Sequence, residues 1–367
     1  MDKIYFKWCP KEPNFTIGWD KIENDFDWFK KLKNIKNNSN YNNYNADNIY
    51  THTKAVCEKL VTLKEWQLLD EIDRAVIFYA ALMHYITKSP YRRELNARSL
   101  IYKNNESTFN FSLEIREKIV KLVRYYDLPL SIMKLSDPQK EILKVNQMIR
   151  LDHLSLLTKA YVMSKTNINN KVSLDKIDYF KNLCIENECY DKTFEFKNNF
   201  SRFMYFFKDG YLPTFEVSDN TKFEVIMIVG LPLSGKDTFI RKTLKDYQVV
   251  SLDLSKEELS YYNKDNFQGK SLQNAKEKAR EYMRDRISFV WNSTNINKNF
   301  RNQLIKFFTD YGAITKIYYI ETSYQELLKR TSENEKHITE RQINQYIDKL
   351  ELPDFTDAHS VLRDEID

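Results

Sequence analysis

The feature that most constrains the fold of this 367-residue chain is the segment GLPLSGKDT at 230–238. It has the GxxxxGK spacing of a phosphate-binding loop, with the apolar run EVIMIV before it and a helical pattern after it. The two glycines allow backbone angles that point N–H groups at a phosphate, and the lysine, expected to face solvent, adds a cation. The alternative is a turn that merely contains Gly-Lys. The context favours a nucleotide-binding loop made by Gly230, Ser234, Gly235, Lys236, Asp237 and Thr238.

Asp237 stands where such loops usually carry Ser or Thr, whose hydroxyl binds Mg²⁺. A carboxylate is also a hard oxygen ligand that Mg²⁺ accepts. Three alternatives stay open at this point: the metal is held by Asp237, by Thr238, or through water. The loop therefore predicts ATP or another NTP with Mg²⁺ (or Mn²⁺) as cofactors, and Asp237 as a candidate metal ligand.

Glycine and hydrophobic periodicity divide the chain into two parts. Five of the six glycines lie at 210 or beyond, while apolar residues recur at helical spacing over 55–204. After the turn-rich segment at 208–222, four β-type runs alternate with helical stretches, which predicts a parallel sheet with crossover helices. We therefore predict an all-helical domain, a linker and an α/β P-loop domain, with bounds 1–207, 208–222 and 223–367. The asparagine-rich stretch at 34–48 is predicted to be a loop.

Charge and cysteine content narrow the class of protein only a little. The chain carries 57 Lys and Arg against 52 Asp and Glu, and the net charge of +5 permits a polyanionic partner without requiring one. Its four cysteines include no close CxxC pair, which is typical of a reduced intracellular protein. No apolar run approaches the roughly 18 residues of a membrane span, and the N-terminus has no hydrophobic signal segment. We expect a cytoplasmic protein without a membrane partner.

Polar residues follow two of the predicted strands. Asp253 ends the run QVVSLD, and the carboxyl ends of parallel strands share one edge with the phosphate-binding loop. A carboxylate there can take a proton from an attacking hydroxyl, although Asp253 could also cap the next helix, and one residue can do both. The third strand runs into Asn292, Ser293, Thr294 and Asn295, which suit contacts to an acceptor or to metal-bound water, or simple turn chemistry.

The C-terminal part contains the segments GLPLSGKDTF, VVSLD, FVWNSTNINKNFRNQLIKFFTDYGA, IYYIE, LLKR and DAHSV. With these segments it resembles the kinase module of the bacterial HD-domain polynucleotide kinases, which join an N-terminal HD phosphohydrolase to a P-loop kinase. The similarity is strong over about 224–361 and weaker over about 45–210, and STNINKNFR is also similar to the TNLN-type segment of phage polynucleotide kinase. The resemblance implies transfer of an NTP γ-phosphate to 5′-OH ends of RNA or DNA. It also implies nucleic acid as partner, and a repair pathway in which an RNA ligase could take part.

The resemblance implies roles for single residues. Lys236 and Asp237 would serve the phosphates and Mg²⁺, because the GKDT form of the loop is typical of that module. Asp253 would be the general base for the 5′-OH. Arg330 keeps the first of two lid arginines that bind the phosphates, while the second is missing; the alternative for Arg330 is a solvated helix end.

Acceptor contacts are implied for three residues. Lys256 stands where the family usually has an arginine on the acceptor's phosphate, so the charge is kept but the bidentate fork is lost. Thr294 and Asn295 lie in the segment that resembles phage polynucleotide kinase.

The N-terminal part resembles an HD domain that has lost most of its metal ligands. His52 and His84 are retained, but Tyr85 replaces the aspartate that defines the motif, and Tyr161 replaces another ligand. Tyrosine is a poor ligand for Mg²⁺, Mn²⁺ or Zn²⁺. We expect a helical HD-like domain without metal or phosphohydrolase activity. Its tyrosines either pack in the core or stack on nucleic acid.

The favoured hypothesis is therefore a 5′-OH polynucleotide kinase with a degenerate HD domain. Two alternatives are kept: a non-catalytic nucleotide- or RNA-binding protein, and a P-loop kinase whose acceptor is a small molecule.

Overall fold

The computed structural model describes residues 6–34, 49–87, 89–165, 170–252, 264–333 and 338–365. Most of the predicted asparagine-rich loop, together with Asp253 and Lys256, lies outside these residues. The chain forms two compact units, Met1–Phe194 and Glu195–Asp367. Within the described ranges, no helix is long and apolar enough to span a membrane.

The first unit is helical, as the periodicity predicts. Short 3₁₀ helices at Leu32–Asn34 and Ile132–Lys134 and a π turn at Asn105–Phe109 complete it. Its α-helices are α1 (Trp19–Asp25), α2 (Asp27–Lys31), α3 (Ile49–Val61), α4 (Lys64–Gln67), α5 (Glu71–Met83), α6 (Pro90–Asn104), α7 (Leu113–Tyr125), α8 (Leu128–Ser131), α9 (Pro138–Asn146), α10 (Leu151–Met163) and α11 (Lys171–Glu186).

Helix α5 is the central element of this unit. It begins at a proper N-cap, where the Asp70 carboxylate accepts a hydrogen bond from the backbone N–H of Asp73. All residues from Ala75 to Met83 are buried, because apolar side chains occupy every face of this stretch. The helix therefore carries His84, at its C-terminal end, into the interior.

The second unit is a five-stranded, all-parallel sheet with helices between the strands, which confirms the predicted fold class. The strand order is β2-β3-β1-β4-β5. The strands are β1 (Phe223–Val229), β2 (Gln248–Ser251), β3 (Phe289–Asn292), β4 (Ala313–Glu321) and β5 (Ser360–Glu365). The helices are α12 (Asn199–Phe207), α13 (Lys236–Thr243), α14 (Lys264–Arg284), α15 (Lys298–Asp310), α16 (Tyr324–Glu333) and α17 (Glu340–Ile347).

Strand β1 lies between β3 and β4 and is almost entirely buried. Its residue Ile228 is in register with Asn292 at the end of β3 and with Tyr318 of β4. The phosphate-binding loop starts directly after this central strand. The sheet therefore places the loop at its carboxyl edge, which is where α/β proteins of this kind bind ligands.

The boundary between the two units differs from the predicted one. Helix α12 and the segment predicted as a linker both pack within the second unit. The ring of Phe203 lies 4.0 Å from the ring of His359, and Arg202 donates to the His359 carbonyl at 3.0 Å. The backbone N–H of Val217 donates to Ser201 Oγ at 3.0 Å. Turn-rich composition indicated a boundary here, but these aromatic and polar contacts tie α12 to the C-terminal segment.

Candidate nucleotide site

The phosphate-binding loop uses its two glycines for different reasons. At Gly230 the loop passes so close to β4 that a Cβ atom would lie 2.8 Å from the Ile320 carbonyl oxygen and 2.7 Å from Ser234 Oγ. Gly235 has φ +92°, a left-handed conformation that favours glycine. Leu233 also has a positive φ, +66°, which is uncommon for a side chain of this kind. The loop is thus a tight, strained turn rather than an ordinary one.

Two cations converge on carbonyl groups of this one loop. Lys236 Nζ donates to the carbonyl of Leu231 at 2.8 Å, and Arg330 Nη1 donates to the carbonyl of Leu233 at 3.1 Å. Arg330 comes from α16 and is held by the Glu326 carboxylate, which accepts from Nε at 2.8 Å. The arrangement brings two positive charges to the loop, where an anionic ligand would meet them.

The expectation that Lys236 faces solvent is wrong. The residue is only 7% exposed, because its side chain folds back under the loop to reach the Leu231 carbonyl. The ammonium group is therefore hydrogen-bonded although it is buried. A pattern of residue types predicts the cation but not the internal acceptor that holds it.

Asp237 lies at the start of α13 and is bound by a residue from β3. Asn292 Nδ2 donates to Asp237 Oδ1 at 2.8 Å, and Asn292 Nδ2 also lies 3.5 Å from Ser251 Oγ at the end of β2. Asp237 is exposed while Asn292 is buried. An oxygen-rich group thus forms where the ends of β2 and β3 meet the first turn of α13, and carboxylate, carbonyl and hydroxyl oxygens are ligands that Mg²⁺ accepts.

The segment after β3 is hydrogen-bonded to the start of the loop and to the end of β1. The carbonyl of Thr294 accepts from the backbone N–H of Gly230 at 3.1 Å, and Asn295 Nδ2 donates to the Ile228 carbonyl at 2.7 Å. Arg301 Nη1 in turn donates to the Asn295 carbonyl at 3.0 Å. Asn295 is buried, and its Nδ2 bond ties it to the sheet edge, while its Oδ1 has no hydrogen-bond partner among the described residues. The acceptor contact that the resemblance implies stays a prediction.

The remaining loop residues fall into two groups. Ser234 is buried, and its carbonyl accepts from Thr322 Oγ1 at 2.9 Å, which ties the loop to the end of β4. Among the described residues, Ser234 Oγ has no hydrogen-bond partner.

Thr238, by contrast, is exposed on α13, where its hydroxyl is 3.4 Å from Arg241. Asp253 and Lys256 lie outside the described residues, so their placement stays a prediction.

In the first unit, the two retained histidines meet inside a cluster of aromatic rings. The Nε2 atoms of His52 and His84 are 3.5 Å apart, and His84 Nδ1 lies 2.7 Å from the Ala81 carbonyl. Tyr85 and Tyr161 both contact the His52 ring at their edges, with centroids 5.8 and 5.6 Å away. The tyrosines that replace the predicted ligands therefore pack against the histidines themselves.

Burial governs the charge state of this histidine pair. Desolvation lowers the pKa of His84 to about 3, and the neighbouring His52 adds to the effect. Desolvation also lowers the pKa of His52 to about 4, with a smaller contribution from Lys165. Both rings are neutral near pH 7. Among the described residues, no group of three or more His, Cys, Asp or Glu side chains could hold a metal ion.

Sequence reasoning missed several contacts that define these sites. One is the hydrogen bond from Thr322 to the Ser234 carbonyl. The others are contacts between cations and tyrosine rings: Arg93 lies 4.3 Å from the Tyr126 ring centroid, and Lys165 lies 4.1 Å from the Tyr161 ring centroid. The sequence offered Asn292 as one of several polar residues at the end of the third strand. Asn292 is the last residue of β3, which pairs with β1, and this position distinguishes it from Ser293, Thr294 and Asn295.

Comparison with known proteins places the α/β unit more closely. Residues 225–353 match the family model of the AAA domain, so the match covers the phosphate-binding loop and four of the five strands or parts of them. The match covers less than half of the chain and supports a parallel α/β domain with a phosphate-binding loop in the second unit. No curated protein matches the chain. Among solved structures, a "putative kinase" from Chloroflexus aurantiacus J-10-fl aligns at 12% identity over 40% of this chain and 86% of its own, with a TM-score of 0.32.

Proposed function

We propose that the second unit is an NTP-dependent kinase that phosphorylates 5′-OH ends of RNA or DNA. The observation that carries the proposal is the convergence of Lys236 and Arg330 on one phosphate-binding loop at the carboxyl edge of the sheet. Two cations at such a loop suit phosphoryl transfer, where catalysis consists mainly of positioning and charge stabilisation. The choice of a polynucleotide acceptor rests on the resemblance of the segments GLPLSGKDTF and STNINKNFR to that family.

Each residue of the site has its own role in the proposed transfer. Backbone N–H groups of the loop and of the first turn of α13 bind the phosphates, and Lys236 moves from the Leu231 carbonyl to the outer phosphates. Arg330 stabilises charge on the transferred group. Asp237 would hold Mg²⁺, which supplies charge neutralisation at the phosphate oxygens when bound. Asp253, which follows β2, would accept the proton of the 5′-OH.

For the first unit we propose a helical domain without phosphohydrolase activity. The positions that would hold metal carry Tyr85 and Tyr161, and these rings pack against His52 and His84. A neutral, tightly packed histidine pair is a core feature and does not form an open metal site. The present role of this unit then lies outside hydrolysis.

The product of the proposed reaction is a polynucleotide with a 5′-phosphate. This end is what a ligase activates and joins, so an RNA ligase is the class of partner that would consume it. The proposal thereby places the protein in nucleic-acid repair.

A direct transfer assay tests the proposed function. The protein is incubated with Mg²⁺ and γ-labelled ATP, and with either a 5′-OH RNA, a 5′-OH DNA or the same oligonucleotides already carrying a 5′-phosphate. We expect label on the 5′-OH oligonucleotides only. Nucleotide binding with no transfer would favour the non-catalytic alternative, and label on small hydroxylated metabolites alone would favour a small-molecule kinase.

A further inference from the structure

The carboxylate and the amide at the nucleotide site form a specific pair. Asn292 Nδ2 donates to Asp237 Oδ1 at 2.8 Å, which fixes the amide orientation, because a carboxylate only accepts hydrogen bonds. Asn292 Oδ1 then points elsewhere, is buried, and has no hydrogen-bond partner among the described residues. A buried acceptor without a partner costs free energy and calls for an explanation such as a ligand or an ordered water.

Ordinary P-loop proteins place these groups the other way round. In them a Ser or Thr hydroxyl follows the loop lysine, and the carboxylate comes from the end of a neighbouring strand; both hold Mg²⁺. Here the carboxylate of Asp237 follows Lys236, and the strand end carries the neutral amide of Asn292. Each arrangement has one carboxylate: ordinary P-loop proteins have it at the strand end, and this chain has it directly after the loop lysine.

We propose that Asp237 and Asn292 have exchanged the two metal-site roles of a P-loop. In this arrangement Asp237 supplies the anionic oxygen, and Asn292 is a positioning residue that fixes the carboxylate through its N–H and offers Oδ1 to a water of the metal's hydration shell. The inference rests on the proposed function only in requiring Mg²⁺-dependent nucleotide binding.

Charge explains why the strand end carries an amide. An aspartate at 292 would face the Asp237 carboxylate at hydrogen-bonding distance, and two like charges so close disfavour each other's ionised form. An asparagine of the same shape turns the contact into a hydrogen bond. Ser251, 3.5 Å from Asn292 Nδ2, provides a further oxygen at the same strand edge.

Calorimetric binding of a non-hydrolysable ATP analogue, with Mg²⁺ and with EDTA, tests the exchange. We expect Mg²⁺ to strengthen binding to the wild type, and Asn292→Leu to reduce that enhancement by about 10-fold or more, the range found for lost outer-shell partners. Affinity in EDTA should change little. Asn295→Leu is the matched control, because Asn295 is equally buried, at 3% exposure, and its Oδ1 also has no hydrogen-bond partner among the described residues, but its Nδ2 contacts the Ile228 carbonyl and not Asp237. It should keep the Mg²⁺ enhancement even if stability falls.

A reciprocal exchange keeps the test decisive if Asn292→Leu does not fold. Asp237→Ser alone should lose the Mg²⁺ enhancement, while Asp237→Ser combined with Asn292→Asp recreates the ordinary arrangement and should restore it to within about 3-fold of wild type. A wild-type enhancement in Asn292→Leu, or a double variant no better than Asp237→Ser, overturns the inference. Mg²⁺-dependent binding without transfer to 5′-OH ends would refute only the proposed function. A wild type that binds no nucleotide would refute both.

Discussion

The guanidinium of Arg330 donates a hydrogen bond to the backbone carbonyl of Leu233, 97 residues earlier in the chain, at 3.1 Å. The same guanidinium donates from Nε to the Glu326 carboxylate, one helical turn before it on α16. Helix α16 and the phosphate-binding loop are therefore joined through one side chain. Because Leu233 has a positive φ, this bond also supports a strained point of the loop.

Replacing Arg330 with lysine tests whether the guanidinium fork matters. Lysine keeps the charge but lacks the rigid fork whose Nε and Nη1 bond Glu326 and Leu233 separately, so we expect transfer to fall by at least about 10-fold while nucleotide affinity changes less. Steady-state transfer rates and analogue binding separate the two effects. Lys329→Ala, at the exposed position just before Arg330, is the control and should behave like wild type. Equal rates for Arg330→Lys and wild type would assign Arg330 to a solvated helix end.

Lys236→Ala should abolish phosphoryl transfer. The substitution removes the only loop cation whose ammonium group already lies within the turn, and we expect a loss of at least about 10²-fold in transfer, on the scale of electrostatic contributions to catalysis. Circular dichroism should show a folded protein. The control is Lys242→Ala, which removes an exposed lysine from the same helix. Normal transfer by a folded Lys236→Ala protein would place the active site elsewhere.

Gly230→Ala should destabilise the second unit and weaken nucleotide binding. The new methyl group would lie 2.8 Å from the Ile320 carbonyl, a backbone atom that cannot easily move, so overpacking should cost about 1–3 kcal/mol in the free energy of unfolding. Gly18→Ala is the matched control, since a Cβ there meets nothing closer than 3.8 Å. Thermal melts of both variants check the prediction, and equal melting temperatures would contradict the close approach.

Sequence patterns predicted four strands of the second unit, because a short apolar β-type run before glycine or polar turn residues is typical of a buried strand. The fifth strand, Ser360–Glu365, was missed, since SVLRDE alternates polar and apolar residues too briefly to stand out. Local residues also indicated which side chains surround the loop. They could not show that Lys236 is buried or that Asn295 Nδ2 bonds β1, because both facts depend on backbone carbonyl acceptors, those of Leu231 and Ile228, which carry no residue-specific signal.

Acid should destabilise the first unit through the pair of His52 and His84. Their pKa values, about 4 and about 3, lie below the ordinary 6.5, so the unfolded chain binds protons that the folded chain excludes. Stability is therefore complete above about pH 6.5 and falls as the pH drops toward the folded values, by roughly 2 kcal/mol per histidine at pH 5.

Urea unfolding followed by tryptophan fluorescence measures this effect. Four of the five tryptophans, Trp8, Trp19, Trp28 and Trp66, belong to the first unit, so the signal reports mainly on it. The pH range 5–7 keeps most carboxylates ionised in both states. The double variant His52→Gln, His84→Gln should show a flatter dependence on pH than wild type. An unchanged slope would mean that the pair is not buried in neutral form.

Asp253→Asn separates a general base from a helix cap. Asp253 lies outside the described residues, so the prediction rests on its position two residues after β2 and on the family resemblance. If Asp253 is the base, the amide cannot take the proton of the 5′-OH, and transfer should fall by at least about 10²-fold while nucleotide affinity is nearly kept. Asparagine still caps a helix, so stability should fall by less than about 1 kcal/mol.

A cap alone would give the opposite pattern, with a near-normal rate for Asp253→Asn and a stability loss of about 1 kcal/mol for Asp253→Ala. Asp246→Asn, an exposed residue in the turn before β2, controls for the loss of one negative charge near the sheet and should leave the rate unchanged. Transfer rates and melting temperatures of the three variants decide between the roles. Because the base acts only on the acceptor, a rate loss at saturating ATP with unchanged analogue binding assigns Asp253 to proton transfer, whereas near wild-type turnover in Asp253→Asn removes it from the mechanism.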